Sequence, residues 1–251
     1  MDINIVYNED CFETFKRIDD RSIDMILCDL PYGTTACKWD TVIPFEPLWR
    51  EYKRIIKEHG AIVLTASQPF TSALVMSNIK MFKYSYCWHK RRVSGFLNAK
   101  RQPLRSTEDI LLFYDKQCIY NPQFSMRKHK RDFTNMIMKP HSDNFGKQRN
   151  YKSLINVDSP AYPTTLIDIR GVVNNEVDKV KHPTQKPVAL FEYLIKTYTN
   201  EGDLVLDNCM GSGTTAIACI NTKRNYIGCE LDKTYYDIIT KRIQDNQARL
   251  M

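Results

Sequence analysis

Asp203-Leu204-Val205-Leu206-Asp207-Asn208-Cys209-Met210-Gly211-Ser212-Gly213-Thr214-Thr215-Ala216 is the stretch whose reading decides the fold. Asp203 to Leu206 reads as a short buried strand, Gly211 and Gly213 as a tight turn, and Thr214 to Asn221 as a helix. Glycines let a backbone approach a ligand closely, and the first turn of a helix presents unpaired N–H groups. The next strand, Asn225 to Cys229, ends at Glu230, where an acid can bind ribose hydroxyls. No lysine follows Gly213, so the turn is not a phosphate-cradling P-loop. Taken locally it fits either a nicotinamide or flavin enzyme or a methyltransferase. Asp207 favours the second: a carboxylate at the strand end repels a pyrophosphate and attracts the ammonium of a sulfonium amino acid.

Working outward, the same alternation of strand and helix runs through most of the chain. Ile3 to Tyr7 reads as a strand, Cys11 to Ile18 as a short helix capped by Asp10, and Ile23 to Cys28 as a second buried strand. Phe45 to Glu58 is expected to be helical, with Pro47 in its first turn, Gly60 ending it and Ala61 to Thr65 forming a third strand. Pro69 to Asn78 reads as a helix. Ser85 to Lys90 and Asp109 to Tyr114 read as strands, and the lack of a helical pattern between them favours an antiparallel pair. Val188 to Thr197 and Tyr235 to Ala248 complete the helices. The expected fold is α/β: a Rossmann-like, mixed and mostly parallel sheet with helices on both faces.

The rhythm breaks between Gln117 and about Lys181, which is polar, basic and punctuated by Pro122, Pro140, Pro160 and Pro163. Residues 1–115 and 182–251 are therefore expected to form one domain, with 116–181 inserted into it.

Asp29-Leu30-Pro31-Tyr32 follows the second strand directly, and ligands of doubly wound sheets sit beyond the carboxyl ends of strands. The bland alternative is a proline turn with a capping aspartate. The functional one is amino methylation. An aromatic amine is a poor nucleophile because its lone pair is delocalised into the ring. The Asp29 carboxylate and the carbonyl of Leu30 or Pro31 can accept its two N–H groups and localise that pair, while Tyr32 offers a ring for stacking. A base so held has left its duplex, which costs a few kcal/mol.

The 251 residues carry a net charge of +7, which suits a polyanionic partner without demanding one. The 8 cysteines form no C-x-x-C pair and no zinc spacing, so a reducing, cytoplasmic setting without disulfides and without metal is expected. The amino terminus lacks an apolar signal core, and no run approaches the roughly 20 apolar residues of a membrane span.

Together these segments resemble the amino-methylating DNA methyltransferases, whose catalytic turn is written Asp/Asn/Ser-Pro-Pro-Tyr. His182-Pro183-Thr184-Gln185-Lys186-Pro187 is similar to the cofactor motif that precedes the glycine turn in that family. Asp207 to Thr215 resembles Asp-Pro-Phe-x-Gly-Ser-Gly-Thr-Thr, Tyr226 to Glu230 the ribose-binding strand end, and Asn8 to Cys11 the segment holding the cofactor adenine. The catalytic turn comes first and the cofactor motifs last, as in the circularly permuted β-group. Leu30, Asn208 and Cys209 depart from the family pattern without removing a needed functional group.

The resemblance implies S-adenosylmethionine as cofactor, double-stranded DNA as substrate and a recognition region over about 116–181. It leaves room for a homodimer, and it implies a bacterial or phage origin. It implies Asp29, Pro31 and Tyr32 as catalytic, and Asp10, Cys11, Asp29, Thr184, Lys186, Asp207, Gly211, Gly213, Thr214 and Glu230 as cofactor-binding residues. Aspartate at the first catalytic position leans toward adenine N6 over cytosine N4. The rivals are an N4-cytosine enzyme, a nicotinamide-dependent oxidoreductase and a non-enzymatic DNA-binding protein.

Arg91, Arg92, Lys100, Arg101, Arg105, Arg127, Lys128, Lys130 and Arg131 are the candidate phosphate contacts, with Phe96, Phe124 and Phe133 among them as candidate wedges. Any one cluster reads equally well as a solvated basic face. Trp49 is expected in the core, and Trp39-Asp40 in a loop near the catalytic turn.

Overall fold

The structure is a computed structural model that describes residues 1–35, 37, 40–125, 141–142, 146–147, 160–173, 179–180 and 182–250. Its elements in chain order are β1 (Ile5–Tyr7), α1 (Cys11–Lys16), β2 (Ile23–Cys28), α2 (Phe45–Ile55), β3 (Ile56–Ala66), α3 (Phe70–Ser77), β4 (Phe82–Ser94), β5 (Arg105–Phe113), β6 (His141–Ser142), β7 (Gly146–Lys147), β8 (Leu166–Asp168), α4 (Val188–Tyr198), β9 (Leu204–Asp207), α5 (Thr214–Asn221), β10 (Asn225–Cys229) and α6 (Lys233–Leu250). The chain divides into two compact units, Met1–Asn121 with Thr164–Met251, and Pro122–Pro163. In the second, β6 pairs antiparallel with β7, Ser125 bridges Ala161, and the rings of Phe124 and Tyr162 meet edge to face at 4.9 Å.

The first unit is built on an eight-stranded sheet in the order β1-β10-β9-β2-β3-β5-β4-β8. Only β5 runs against the other strands. The alternation along β2 shows how the sheet is covered. Ile26 and Cys28 join the core under α1, α2 and α3 with Phe15, Tyr52 and Leu74. Met25 and Leu27 join the opposite core with Leu194 of α4, Ala218 of α5 and Ile239 of α6. The mixed, mostly parallel sheet between two helical layers is the expected fold class.

From β9 the chain winds outward through α5 to β10, and from β2 it winds the other way through α2 to β3. β2 and β9 are hydrogen-bonded neighbours, with Met25 opposite Val205 and Ile26 opposite Leu206. Their carboxyl ends therefore diverge into opposite windings, and a crevice opens between Asp29 and Asp207. β1 lies parallel to β10, which is where a permuted chain places its first strand.

The expected antiparallel pair forms, but β4 and β5 are longer than the periodicity implied. Ile56 to Gly60, expected at the end of a helix, belongs instead to β3. Ile56 pairs with Ile23 and the register then shifts, with Met25 opposite Ala61. A Cβ on Gly60 would lie 2.7 Å from the Ile56 side chain, so glycine permits this irregularity and does not act as a helix stop. The segment expected to be inserted also supplies β8, which lies parallel to β4 at the sheet edge. Trp49 is buried as expected, donating from Nε1 to the Ser77 hydroxyl at 2.7 Å. Trp39, Arg127, Lys128, Lys130, Arg131 and Phe133 lie outside the described residues.

Candidate active site

A cleft of about 880 Å³ opens along the carboxyl ends of β1, β2, β9 and β10. That volume suits a nucleoside-sized ligand with room beside it. Asp10, Cys11, Asp29, Pro31, Tyr32, Thr184, Lys186, Asp207, Gly211, Thr214 and Glu230 all line it. Gly213 is the one expected cofactor residue that does not. It sits behind the turn as the N-cap of α5 at φ +76°, and a Cβ there would meet Ile239 at 3.0 Å.

The glycine turn is held from below. Gly211, at φ +52°, donates its N–H to Glu230 Oε2 at 2.8 Å, and Asp232 N–H donates to the other Glu230 oxygen at 2.9 Å. Glu230 thus fixes the turn and also lines the cleft. A Cβ on Gly211 would stand 3.1 Å from His182 Nε2, so glycine lets the turn pack closely against the His182 ring. Burial keeps the His182 imidazole neutral, with a pKa pushed down to about 4 despite the Asp29 carboxylate. Its ring packs on Tyr235 at 4.5 Å.

Asp207 is only 2 % exposed. It accepts the Cys209 N–H at 3.0 Å and the Thr215 hydroxyl. Burial outweighs those bonds and pushes its pKa up to about 6, so at neutral pH it is an anion held at a cost. Asn208, where the family has proline, accepts a hydrogen bond from the buried Tyr52 hydroxyl at 2.5 Å. Asp10 caps α1 by accepting the Phe12 N–H at 2.8 Å, which places it and Cys11 at the end of β1.

Asp29 lies across from Asp207. Its Oδ1 accepts from the Tyr32 hydroxyl at 2.8 Å and from Thr65, and its Oδ2 accepts from Lys186 Nζ at 2.8 Å. Lys186 is buried and also stands 3.3 Å from Glu108 Oε2, while Lys90 Nζ holds the other Glu108 oxygen at 3.1 Å. Desolvation opposes the Lys186 charge, but Asp29, Tyr32 and Glu108 outweigh it and raise its pKa well above the ordinary lysine value. The Tyr32 ring stacks on Phe70 with centroids 5.1 Å apart.

After this turn the chain is pinned by Asp40, a buried carboxylate that accepts the N–H groups of Gly33, Thr34 and Thr35 at 2.8, 2.9 and 2.7 Å. Burial alone would raise its pKa, but these bonds hold it below the usual aspartate range. Thr65, Glu108 and the anchoring role of Asp40 were not visible in the sequence, and Lys90 read there as a phosphate contact beside Arg91 and not as a partner of Glu108. No motif marks Thr65, Lys90 and Glu108 as one cluster, because β3, β4 and β5 bring them together from distant positions.

Of the basic candidates, Arg92 and Arg105 line the mouth of the cleft, while Arg91, Lys100 and Arg101 do not. Arg91 is engaged by Asp168, with Nε to Oδ1 at 2.9 Å and Nη2 to Oδ2 at 2.7 Å. Phe96 is 66 % exposed at the tip between β4 and β5, with Lys100 and Arg101 close by in the chain.

A doubly wound sheet with a glycine turn at its switch point, a buried acid on one side and an Asp-Leu-Pro-Tyr turn on the other defines a methyltransferase of the Rossmann-like class. The profile of the DNA methylase family, whose members modify N6 or N4 amino groups, matches residues 23–241, and the chain belongs to that family. It is 25 % identical to the type II methyltransferase M1.MboII of Moraxella bovis over 94 % of each chain. It is 28 % identical to M.HpaI of Haemophilus parainfluenzae over 92 % of this chain and 71 % of that protein. The crystal structure of the M1.HpyAVI–SAM complex superposes with a TM-score of 0.61 at 25 % identity, covering 95 % of this chain and 98 % of the other. The PvuII cytosine-N4-specific methyltransferase shares the fold, with a TM-score of 0.64 at 16 % identity over 97 % and 91 % of the two chains.

The protein is thus a DNA methyltransferase whose cofactor is S-adenosylmethionine. The cleft fits that group: the buried carboxylate of Asp207 and the Glu230 carboxylate both line it, and they match a ligand carrying an ammonium and ribose hydroxyls.

Proposed function

We propose that the protein methylates the exocyclic N6 of adenine at specific sites in double-stranded DNA. The observation that carries this reading is the Asp29 carboxylate in the cleft, directly across the β2–β9 switch point from Asp207. Asp207, Glu230, Asp10, Cys11, Thr184, Thr214 and the glycine turn hold the cofactor, and Gly213 shapes that turn from behind. Bound S-adenosylmethionine supplies an electrophilic methyl group on a sulfonium sulfur.

The chain's own groups prepare the acceptor. The target base turns out of the duplex into the cleft, at a cost of a few kcal/mol that stacking and edge hydrogen bonds offset. Asp29 accepts one amino N–H and the carbonyl of Leu30 or Pro31 the other, which localises the nitrogen lone pair toward the methyl group. Tyr32 orients Asp29 through its hydroxyl and offers its ring to the base. Transfer is direct and in line, without a covalent enzyme intermediate, and positioning supplies most of the acceleration. Aspartate at the first position of the turn supports adenine over cytosine. Arg92 and Arg105 at the mouth, with Lys100 and Arg101 beyond it, contact phosphates. The region about 116–181 reads the target sequence, and the enzyme works in the bacterial cytoplasm.

Nucleoside digestion of DNA from a host lacking its own amino methylation, with and without expression of this chain, tests the reading. N6-methyladenine supports it. N4-methylcytosine would keep the mechanism and overturn the acceptor.

A further inference from the structure

Both oxygens of Asp29 are occupied in the ligand-free cleft. Oδ1 receives the Tyr32 and Thr65 hydroxyls, and Oδ2 receives Lys186 Nζ at 2.8 Å. Oδ1 already has two donors, so a base amino group reaches Asp29 at Oδ2, which carries the Lys186 ammonium alone; the lysine is then the partner placed to give way. The hydroxyls are short, fixed groups on the turn itself and on β3. Lysine has a long flexible stem, and its ammonium carries three donors.

The structure offers that ammonium somewhere to go. Glu108 Oε2 lies 3.3 Å from Lys186 Nζ, is buried, and makes no hydrogen bond among the described residues. Its companion oxygen is fixed by Lys90 at 3.1 Å, so the carboxylate is aimed and does not swing freely. A buried cation cannot be left without an anion, because desolvation then goes uncompensated. A shift from Asp29 to Glu108 keeps Lys186 paired throughout. Lys90, Lys186, Asp29 and Glu108 carry two positive and two negative charges, and the shift leaves that balance unchanged.

We propose that Lys186 is a two-position latch on the catalytic carboxylate: it holds Asp29 in the empty cleft and moves onto Glu108 when the target amine arrives. Glu108 is then a positioning residue, acting on the reaction through Lys186. This rests on the reading that Asp29 accepts the substrate amine. It separates Lys186 from the cofactor set in which the family motif places it. The carbonyl of Lys186 still serves that motif, accepting the Thr214 hydroxyl at 3.1 Å.

The test is Glu108→Gln, which keeps the shape and removes the charge that receives the ammonium. Steady-state methylation of duplex DNA, cofactor binding by calorimetry and thermal melting are measured on the same preparation. Expected is a fall in kcat/KM for DNA of about thirtyfold or more, with S-adenosylmethionine affinity within about threefold and an unchanged Tm. Glu108→Asp, which keeps the charge but shortens the reach, recovers part of the loss. It carries the test alone if the glutamine variant melts early. Wild-type kcat/KM on DNA in both variants overturns the latch, as does cofactor affinity that falls in step with activity. A wild-type enzyme that methylates no amino group would instead overturn the reading beneath it.

Discussion

Asp207→Asn separates what the buried acid does for the cofactor from what it costs the fold. Asp207 is 2 % exposed, and its pKa stands at about 6 against an ordinary 3.8. A folded-state pKa raised in this way means that the folded protein binds the proton more tightly than the unfolded chain does. Stability from that proton is fully present below about 3.8 and is lost as the pH rises through about 6. Two pKa units correspond to about 3 kcal/mol, which is what the ionised carboxylate costs at pH 8. Asparagine removes the charge yet keeps the local bonds, since its oxygen accepts the Cys209 N–H and its amide donates to the Thr215 hydroxyl.

The ligand-free variant is therefore expected to melt later than wild type at pH 8, by roughly 5–10 °C for a chain of this size. The gap should close as the pH falls from 6 toward 4. In the same variant, calorimetry should show cofactor affinity reduced by about tenfold or more, because the anion facing the ligand is gone. A variant that melts earlier than wild type at both pH values would refute the reasoning. It would mean that the carboxylate is held by more favourable contacts than burial takes away.

Tyr32→Phe keeps the stack on Phe70 but removes the hydroxyl bonded to Asp29, so turnover should fall by about tenfold with little change in Tm. Gly213→Ala forces a side chain into a φ of +76° and against Ile239, so denaturant titration should show a loss of about 1–3 kcal/mol. Arg105→Ala should lower the slope of log affinity for DNA against log salt by about 0.9, the loss of one phosphate contact. Arg91→Ala should change that slope less, because Asp168 already engages its guanidinium. Equal changes for the two arginines would contradict the placement of Arg105 at the mouth.

The parts of the site legible in the sequence are those that local chemistry dictates. Gly211 and Gly213 both adopt positive φ, and a turn that requires this announces itself by its glycines. Asp29 and Asp207 could be read because each directly follows or ends a buried strand, and parallel strands deliver their ends to one crevice. Asp10 could be read as a cap because its neighbours are apolar at helical spacing.

What escaped depends on partners far away in the chain. The extension of β3 to Ile56 follows from pairing with Ile23, and no pattern inside Ile56 to Gly60 distinguishes a strand from a fraying helix. β8 is only three residues long and gains its identity from β4. Glu108 sits in a strand where a charged residue reads as solvent-facing. Only the folded sheet shows it between the buried Lys186 and the half-buried Lys90. The partner of Arg91, Asp168, lies 77 residues later in the chain and comes beside it only when β8 pairs with β4.

The central claim is that Asp29 prepares an adenine amino group for methyl transfer from the neighbouring cofactor. It is tested most directly by single-turnover transfer of labelled methyl from S-adenosylmethionine to mixed-sequence duplex DNA, followed by nucleoside digestion, for wild type and Asp29→Ala. Cofactor and DNA binding are confirmed for both proteins beforehand. Label in N6-methyladenine for wild type, falling by about 10³-fold or more in the variant while binding persists, is the expected result. Label that persists in Asp29→Ala, or no transfer by a wild-type protein that binds both cofactor and DNA, would contradict it.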